Sequence, residues 1–271
     1  MFISPTGNTA TAARSLARGL ADVVGDGDFY SIDITPFEAR KGVYDFGEGD
    51  VVVIGVPTYA GRVPNKLLPY LQESVQSCGA KALAVVTYGN RAYDDALKEL
   101  CLTLDEGGFD MVGAVACVGE HAFTDKLAGG RPNEDDIGAL YEIGKAVGKT
   151  LKKDSNKVLD MSILPGREPE SMEYYVPKKT DGERAVFLKD MPLTDETKCN
   201  GCGECRAICP MGCFRNSVTN PEGTCIKCQA CVKVCPNGAK YFDSADLKEH
   251  IAALERDFAN NSLEIQCFLI E

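Results

Sequence analysis

Along the first 150 residues, short continuous apolar runs alternate with stretches of helical spacing. The runs Phe2–Ser4, Phe29–Ile34, Val51–Val56, Ala82–Thr87 and Met111–Val118 have the length of buried strands. Between them, Ala13, Leu16, Ala17 and Leu20 recur on one helix face, and Tyr93, Ala96, Leu97, Leu100, Cys101 and Leu104 on another. A third face carries Ile137, Leu140, Tyr141, Gly144 and Val147. Asn133 is placed to cap that helix, and Glu134, Asp135 and Asp136 suit the positive end of its dipole. Strands and helices in this rhythm predict an α/β domain over residues 1–150, built on a doubly wound five-stranded parallel sheet. The first strand is short beside the others, so chain upstream of Met1 is expected.

The rhythm fades over residues 151–191, where Pro165, Pro169 and Pro177 interrupt a charged stretch. About 40 residues is too long for a plain loop, so this is read as an extended connector, with Tyr174, Tyr175 and the run Ala185–Leu188 resting on a domain. Residues 244–271 read as a helix and a strand. The helix carries Leu247, Ile251 and Leu254, with His250 expected on its surface. The stretch Leu263–Leu269 alternates like an edge strand, expected to give the small domain further docking surface.

Composition narrows the class. With 44% apolar and 25% charged residues the chain is globular. No apolar run is long enough to span a bilayer, and Met1-Phe2-Ile3-Ser4-Pro5 lacks the features of a signal peptide. A net charge of −11 argues against nucleic acid as a partner. A cytoplasmic location follows as an expectation, and in that compartment thirteen cysteines point to metal binding and not to a disulfide framework. Cys78, Cys101 and Cys117 lie in or near apolar elements and are read as inert core residues.

Nine of the other cysteines fall between Cys199 and Cys235. The run Cys199-x2-Cys202-x2-Cys205-x3-Cys209-Pro210 repeats 26 residues later as Cys225-x2-Cys228-x2-Cys231-x3-Cys235-Pro236. Zinc ribbons use paired CxxC units without the CxxxCP ending. Residues 192–243 resemble a bacterial two-[4Fe–4S] ferredoxin, in which the fourth cysteine of each run serves the other cluster. The resemblance implies one cluster on Cys199, Cys202, Cys205 and Cys235, and a second on Cys225, Cys228, Cys231 and Cys209. Cys213 is a ninth cysteine, matching Ala239 in the repeat, and is read as a small residue beside a cluster.

Ser4-Pro5-Thr6-Gly7-Asn8-Thr9 joins the first strand to the first helix. Hydroxyls and free amides at a helix start make an anion cradle, and the lack of lysine suits a monophosphate. The end of the first strand is also the topological switch point of such sheets. Two further loops follow strand ends: Pro57, Thr58, Tyr59, Ala60, Gly61 and Arg62, then Tyr88, Gly89, Asn90, Arg91, Tyr93 and Asp94. Each sets an aromatic ring beside glycine, as a planar ligand would need. Residues 1–150 thus resemble a flavodoxin, and the whole chain is similar to fused flavodoxin–ferredoxin proteins. That resemblance implies FMN in the three loops, with Tyr59 in place of the tryptophan this chain lacks. His121, just past the last strand, could approach the flavin or line the domain junction. The stretch Gly144–Thr150 is near a phosphate-binding loop, but Ile143 stands where the first glycine belongs and the pattern is helical. No GxGxxG exists for a dinucleotide. The expectation is an electron-transfer iron–sulfur flavoprotein of an anaerobe, relaying electrons between the clusters and FMN for redox partner proteins. The alternative is a self-contained FMN-dependent reductase of a quinone, metal or small organic acceptor.

Overall fold

The computed structural model describes residues 1–25 and 27–271. The large domain contains α1 (Asn8–Val24), β1 (Tyr44–Phe46), β2 (Val51–Pro57), α2 (Leu68–Ser74), β3 (Val75–Ser77), β4 (Lys81–Tyr88), α3 (Ala96–Glu106), β5 (Asp110–Val118) and α4 (Glu134–Lys153). The later chain adds β6 (Leu193–Thr194), α5 (Glu204–Ile208), α6 (Ala230–Val234), β7 (Lys240–Tyr241), α7 (Ala245–Phe258) and β8 (Gln266–Leu269).

Strands β2, β4 and β5 are parallel neighbours, with Val51 opposite Lys81 and Lys81 opposite Asp110. Both faces of these strands are covered, which is why each reads as an unbroken apolar run. The chain start completes the sheet. Phe2 N–H donates to the Ile32 carbonyl and Ile34 N–H to that of Phe2, while Ile3 N–H donates to Gly55. The parallel order is therefore the segment around Asp33, the N-terminal segment, β2, β4 and β5. That is the flavodoxin-like 2-1-3-4-5 order. Only the end of the expected strand Phe29–Ile34 takes part, because the N-terminal segment offers so few residues to pair with; Tyr30 is 95% exposed.

Strand β8 is the edge strand expected from the alternation, but it lies on the large sheet, not the small domain. It runs antiparallel along β5, with Gly113 opposite Leu269 and Ala116 opposite Gln266. There it covers backbone groups that a bare β5 edge would leave unpaired.

Helices α1 and α4 pack closely through glycines. A Cβ on Gly19 would overlap the Tyr141 carbonyl oxygen, and one on Gly144 that of Leu16. The phosphate-loop-like stretch is thus part of α4, its glycines used for helix contact. Asn133 and Asp136 cap α4 reciprocally: Asp136 N–H donates to Asn133 Oδ1 at 3.0 Å and Asn133 N–H to Asp136 Oδ2 at 2.9 Å.

The connector lies along the large domain. Leu159 N–H donates to the Met111 carbonyl, Tyr175 N–H to that of Ala60, and Arg167 clasps Asp95. Farther on, Ala185 and Phe187 pack with Leu247, Ile251 and Phe123. This second layer corrects the surface reading of His250, which is 4% exposed and stacked on Phe187 at 5.5 Å. Cys101 and Cys117 are core residues as expected, burial pushing the Cys117 thiol up to about 12. Cys78 is exposed instead, in the turn after β3 where no second layer covers it. Among the described residues no helix is long and apolar enough to cross a membrane.

Candidate functional site

The repeated cysteine runs fold into two cavities, each taking three thiols from one run and the fourth from the other. Cys199, Cys202, Cys205 and Cys235 line the first. Cys225, Cys228, Cys231 and Cys209 line the second, together with Cys213. Local chemistry makes this crossing. Cys209 and Cys235 end α5 and α6 in extended conformation (ψ 113° and 111°), because the proline after each disfavours a further helical residue. The fourth thiol of each run is thereby turned away from its own three. Both helices start at a left-handed residue, Gly203 and Gln229, which occupy equivalent positions in the repeat.

Backbone amides point at several sulfurs. Ala239 N–H donates to Cys235 Sγ at 3.2 Å, Cys213 N–H to Cys209 Sγ and Lys227 N–H to Cys225 Sγ, both at 3.3 Å. Such donors stabilise negative charge on ligating sulfur. Hydrogen bonding from the Cys213 thiol lowers Cys209 to about 6 and Cys225 to about 7, whereas burial raises Cys231 to about 12. Two buried lysines complete the setting. Lys240 lines the first cavity and donates to Thr194 Oγ1 at 2.6 Å; Lys227 donates to the Cys225 carbonyl at 2.8 Å. A buried ammonium ion is costly without compensating charge, and ligated thiolates would supply it. The sequence reading missed both lysines, although Lys227 stands within a CxxC spacer.

The three loops assigned to a flavin stand together at the carboxyl ends of the strands. Helix α1 follows Gly7 (φ 97°), which supplies no side-chain cap to the Asn8 and Thr9 amides beside Thr6. Ser4 is turned inward, its Oγ accepting from Ala10 N–H, and Thr9 Oγ1 lies 2.6 Å from Thr87 Oγ1. Asn8 ties the cradle to the loop after β5 by donating to the Glu120 carbonyl. In the second loop, Tyr59 and Arg62 exchange backbone hydrogen bonds around Ala60 and Gly61, both with positive φ. Arg62 is engaged by Glu99 and the Met172 carbonyl, so its charge serves the fold. In the third, Tyr88 packs on Tyr93 at 5.3 Å, Arg91 pairs with Asp94, and Asn90 holds the chain near Phe258. Thr58 Oγ1 and Asn90 Oδ1 are buried without a hydrogen-bond partner among the described residues. The Thr58 hydroxyl, which can donate or accept, the Asn90 amide oxygen and Arg62 Nε, all unpartnered among the described residues, fit a polar planar ligand. The Asn8 and Thr9 amides at the start of α1 fit its phosphate.

The second cysteine cavity abuts this site. Burial, then nearby Cys228 and Cys225, push the Tyr59 hydroxyl well above its usual range. Ile226 and Met211 pack against the core of the large domain. Arg40 donates to the Pro210 carbonyl, and Lys233 pairs with Glu120 at 2.5 Å.

His121 lies against Gly89, where any Cβ would strike its ring, and its Nδ1 accepts from Phe123 N–H at 3.1 Å. Burial, followed by the positive groups His250, Lys233 and Arg91, lowers its pKa from 6.5 to about 4. The unfolded chain takes up this proton below about pH 6.5, whereas the fold resists it until about pH 4. Stability from His121 is therefore present above that window and lost as pH falls through it, by about 3 kcal/mol in full. Urea unfolding at pH 7 and pH 4.5 should show a smaller acid loss for His121→Gln than for the wild type.

A 4Fe–4S binding domain family matches residues 192–215 and 221–241. With the sheet order above, this makes the chain a flavodoxin-like domain joined to a ferredoxin-type [4Fe–4S] domain, a fusion suited to electron transfer. Among solved structures it is similar to a flavodoxin from the domain Archaea (15% identity, TM-score 0.39), over 56% of this chain and 95% of that one. It is also similar to a Streptococcus pneumonia TIGR4 flavodoxin (20%, TM-score 0.38), over 55% and 95%. A third is the rubredoxin oxygen:oxidoreductase of the anaerobe Desulfovibrio gigas (17%, TM-score 0.36), over 56% of this chain and 35% of that one. No curated protein matches.

Proposed function

We propose that the chain binds FMN and two [4Fe–4S] clusters and relays electrons among them on behalf of a redox partner. The observation that carries this reading is the docking of the second cysteine cavity on the large domain, where its lining residues Met211 and Ile226 pack against that domain's core. Bound FMN would exchange one or two electrons and each cluster one, so their union converts between the two kinds of chemistry. Cys199, Cys202, Cys205 and Cys235 would hold the outer cluster; Cys225, Cys228, Cys231 and Cys209 would hold the inner one. Cys202 is exposed, which makes the outer site the face a partner meets, whereas Cys209, Cys228 and Cys231 are buried. Thr6, Asn8 and the α1 amides would hold the phosphate. Thr58, Asn90 and Gly89 would face the ring, and Tyr59 would separate the ring from the inner thiols.

Anaerobically purified protein should contain iron and sulfide for two clusters and should bind FMN more tightly than riboflavin. Thr6→Ala should weaken FMN and leave riboflavin unchanged. Equal affinity for both flavins would overturn the phosphate site, and stoichiometric zinc alone would overturn the clusters.

A further inference from the structure

Of the chain's two histidines, His121 stands in the loop after β5, outside the three loops assigned to the flavin. Three contacts fix its ring. Nδ1 accepts from Phe123 N–H at 3.1 Å, the Phe123 ring packs on it at 5.1 Å, and its Cδ2 edge lies on Gly89 of the third loop, where no Cβ could stand. Phe123 is held in turn, meeting Phe187 edge-on at 6.4 Å. Burial lowers the imidazole to about 4, so the ring is neutral at pH 7. A neutral imidazole whose Nδ1 accepts carries its proton on Nε2. Nε2 is bonded to the carbon that lies on Gly89, and among the described residues its N–H has no acceptor. A donor held this firmly and left unpaired is organised in advance for a ligand. The residue after Gly89 supplies the opposite polarity. Asn90 is 1% exposed, and its Nδ2 donates to the Phe258 and Asn261 carbonyls, which leaves Oδ1 as an acceptor without a partner. A donor and an acceptor gathered at one glycine match the neighbouring carbonyl and N–H groups of an imide, which a flavin carries on the pyrimidine edge of its ring.

We propose that His121 binds the flavin ring, its Nε2–H donating to a carbonyl of the pyrimidine edge beside the N–H that Asn90 Oδ1 would accept. This rests on the FMN reading above. The loop after β5 thereby becomes a fourth part of the flavin site. It recognises the ring and not the phosphate, so it serves FMN and riboflavin alike.

The test uses the full chain, with flavin titrations and the infrared carbonyl bands of the bound flavin as readouts. His121→Phe keeps an aromatic ring on Gly89 and removes the donor. It should weaken FMN and riboflavin by the same factor, about tenfold, the worth of one hydrogen bond. Thr6→Ala, by contrast, weakens FMN alone. His121→Gln returns an N–H and should recover part of the loss. One flavin carbonyl band should rise in frequency in His121→Phe, because that carbonyl has lost its donor. Unmoved bands, or equal losses in the two variants, would mean that His121 only shapes the loop, and the proposal is overturned. Unchanged affinity for both flavins in His121→Phe overturns it as well, while FMN binding stands. Wild-type protein that takes up neither flavin would overturn the FMN reading itself. Should His121→Phe fail to accumulate, nuclear magnetic resonance of wild-type protein labelled at the histidine nitrogens decides. Riboflavin should shift one Nε2–H resonance and slow its exchange with water, and an unmoved resonance would overturn the proposal.

Discussion

Replacing Ile226 by aspartate is expected to leave the iron content intact and to slow electron exchange between flavin and inner cluster by orders of magnitude. Ile226 lies in the spacer between Cys225 and Cys228, and its side chain packs against the core of the large domain. A carboxylate there must either be buried without a partner, which costs several kcal/mol, or separate the two surfaces. Separation is the expected outcome, because burying the charge costs more than any single contact that remains: Met211 on the same core, Arg215 over the Phe37 ring, and two polar pairs. The Lys233–Glu120 pair is partly exposed on both sides and is worth about 1 kcal/mol or less. The Arg40 hydrogen bond to Pro210 is a single interaction of about 1–2 kcal/mol. Lys233→Ala should accordingly change the rate little.

Flash reduction of the flavin, with cluster absorbance followed in time, checks this. In the wild type the rate should be first-order and independent of protein concentration, since the proposed function puts both centres in one chain. In Ile226→Asp it should stay independent of dilution but become slow, because the connector and α7 still tether the domain. An unchanged rate would mean that the observed docking is not the route electrons take.

The parts of this molecule legible in the sequence are those that a local period or spacing encodes. Strands β2, β4 and β5 are buried on both faces, so their apolar runs stand out within a residue of their limits. The crossing of Cys209 and Cys235 was legible through the resemblance to two-cluster ferredoxins, and the structure supplies its local cause in the proline after each. What escaped depends on contacts between distant segments. The helical period of α7 shows the face with Leu247 and Leu254, but not the connector that buries His250 from the other side. The alternation of Gln266–Leu269 identifies an edge strand but contains nothing that selects β5 over the small domain. Arg62 looked like a ligand contact only because Glu99, its partner, stands on α3 and out of local view. The approach of Tyr59 to Cys225 and Cys228 joins loops more than 160 residues apart; neither loop's sequence encodes it.

Gly19→Ala is expected to destabilise the protein by about 3 kcal/mol or more, far beyond the usual effect of adding one methyl group to a helix. Alanine is the better helix former by about 1 kcal/mol, so propensity alone would make the change favourable. At Gly19 the added Cβ meets backbone, the Tyr141 carbonyl of α4, and no side-chain rotation relieves it. Gly144 presses α4 on the Leu16 carbonyl in the same way, so the two helices must move apart as rigid bodies. Gly138 supplies the control, being in the same helix α4 with open space where its Cβ would stand. Gly138→Ala should be neutral or stabilising by up to about 1 kcal/mol. Because α1 starts at the anion cradle, displacing it should also weaken FMN while riboflavin, lacking the phosphate, is less affected. Urea unfolding of both variants, with flavin titrations beside it, separates the two effects. Equal stability of Gly19→Ala and Gly138→Ala would mean that the helices are not in the close contact that positions the phosphate loop.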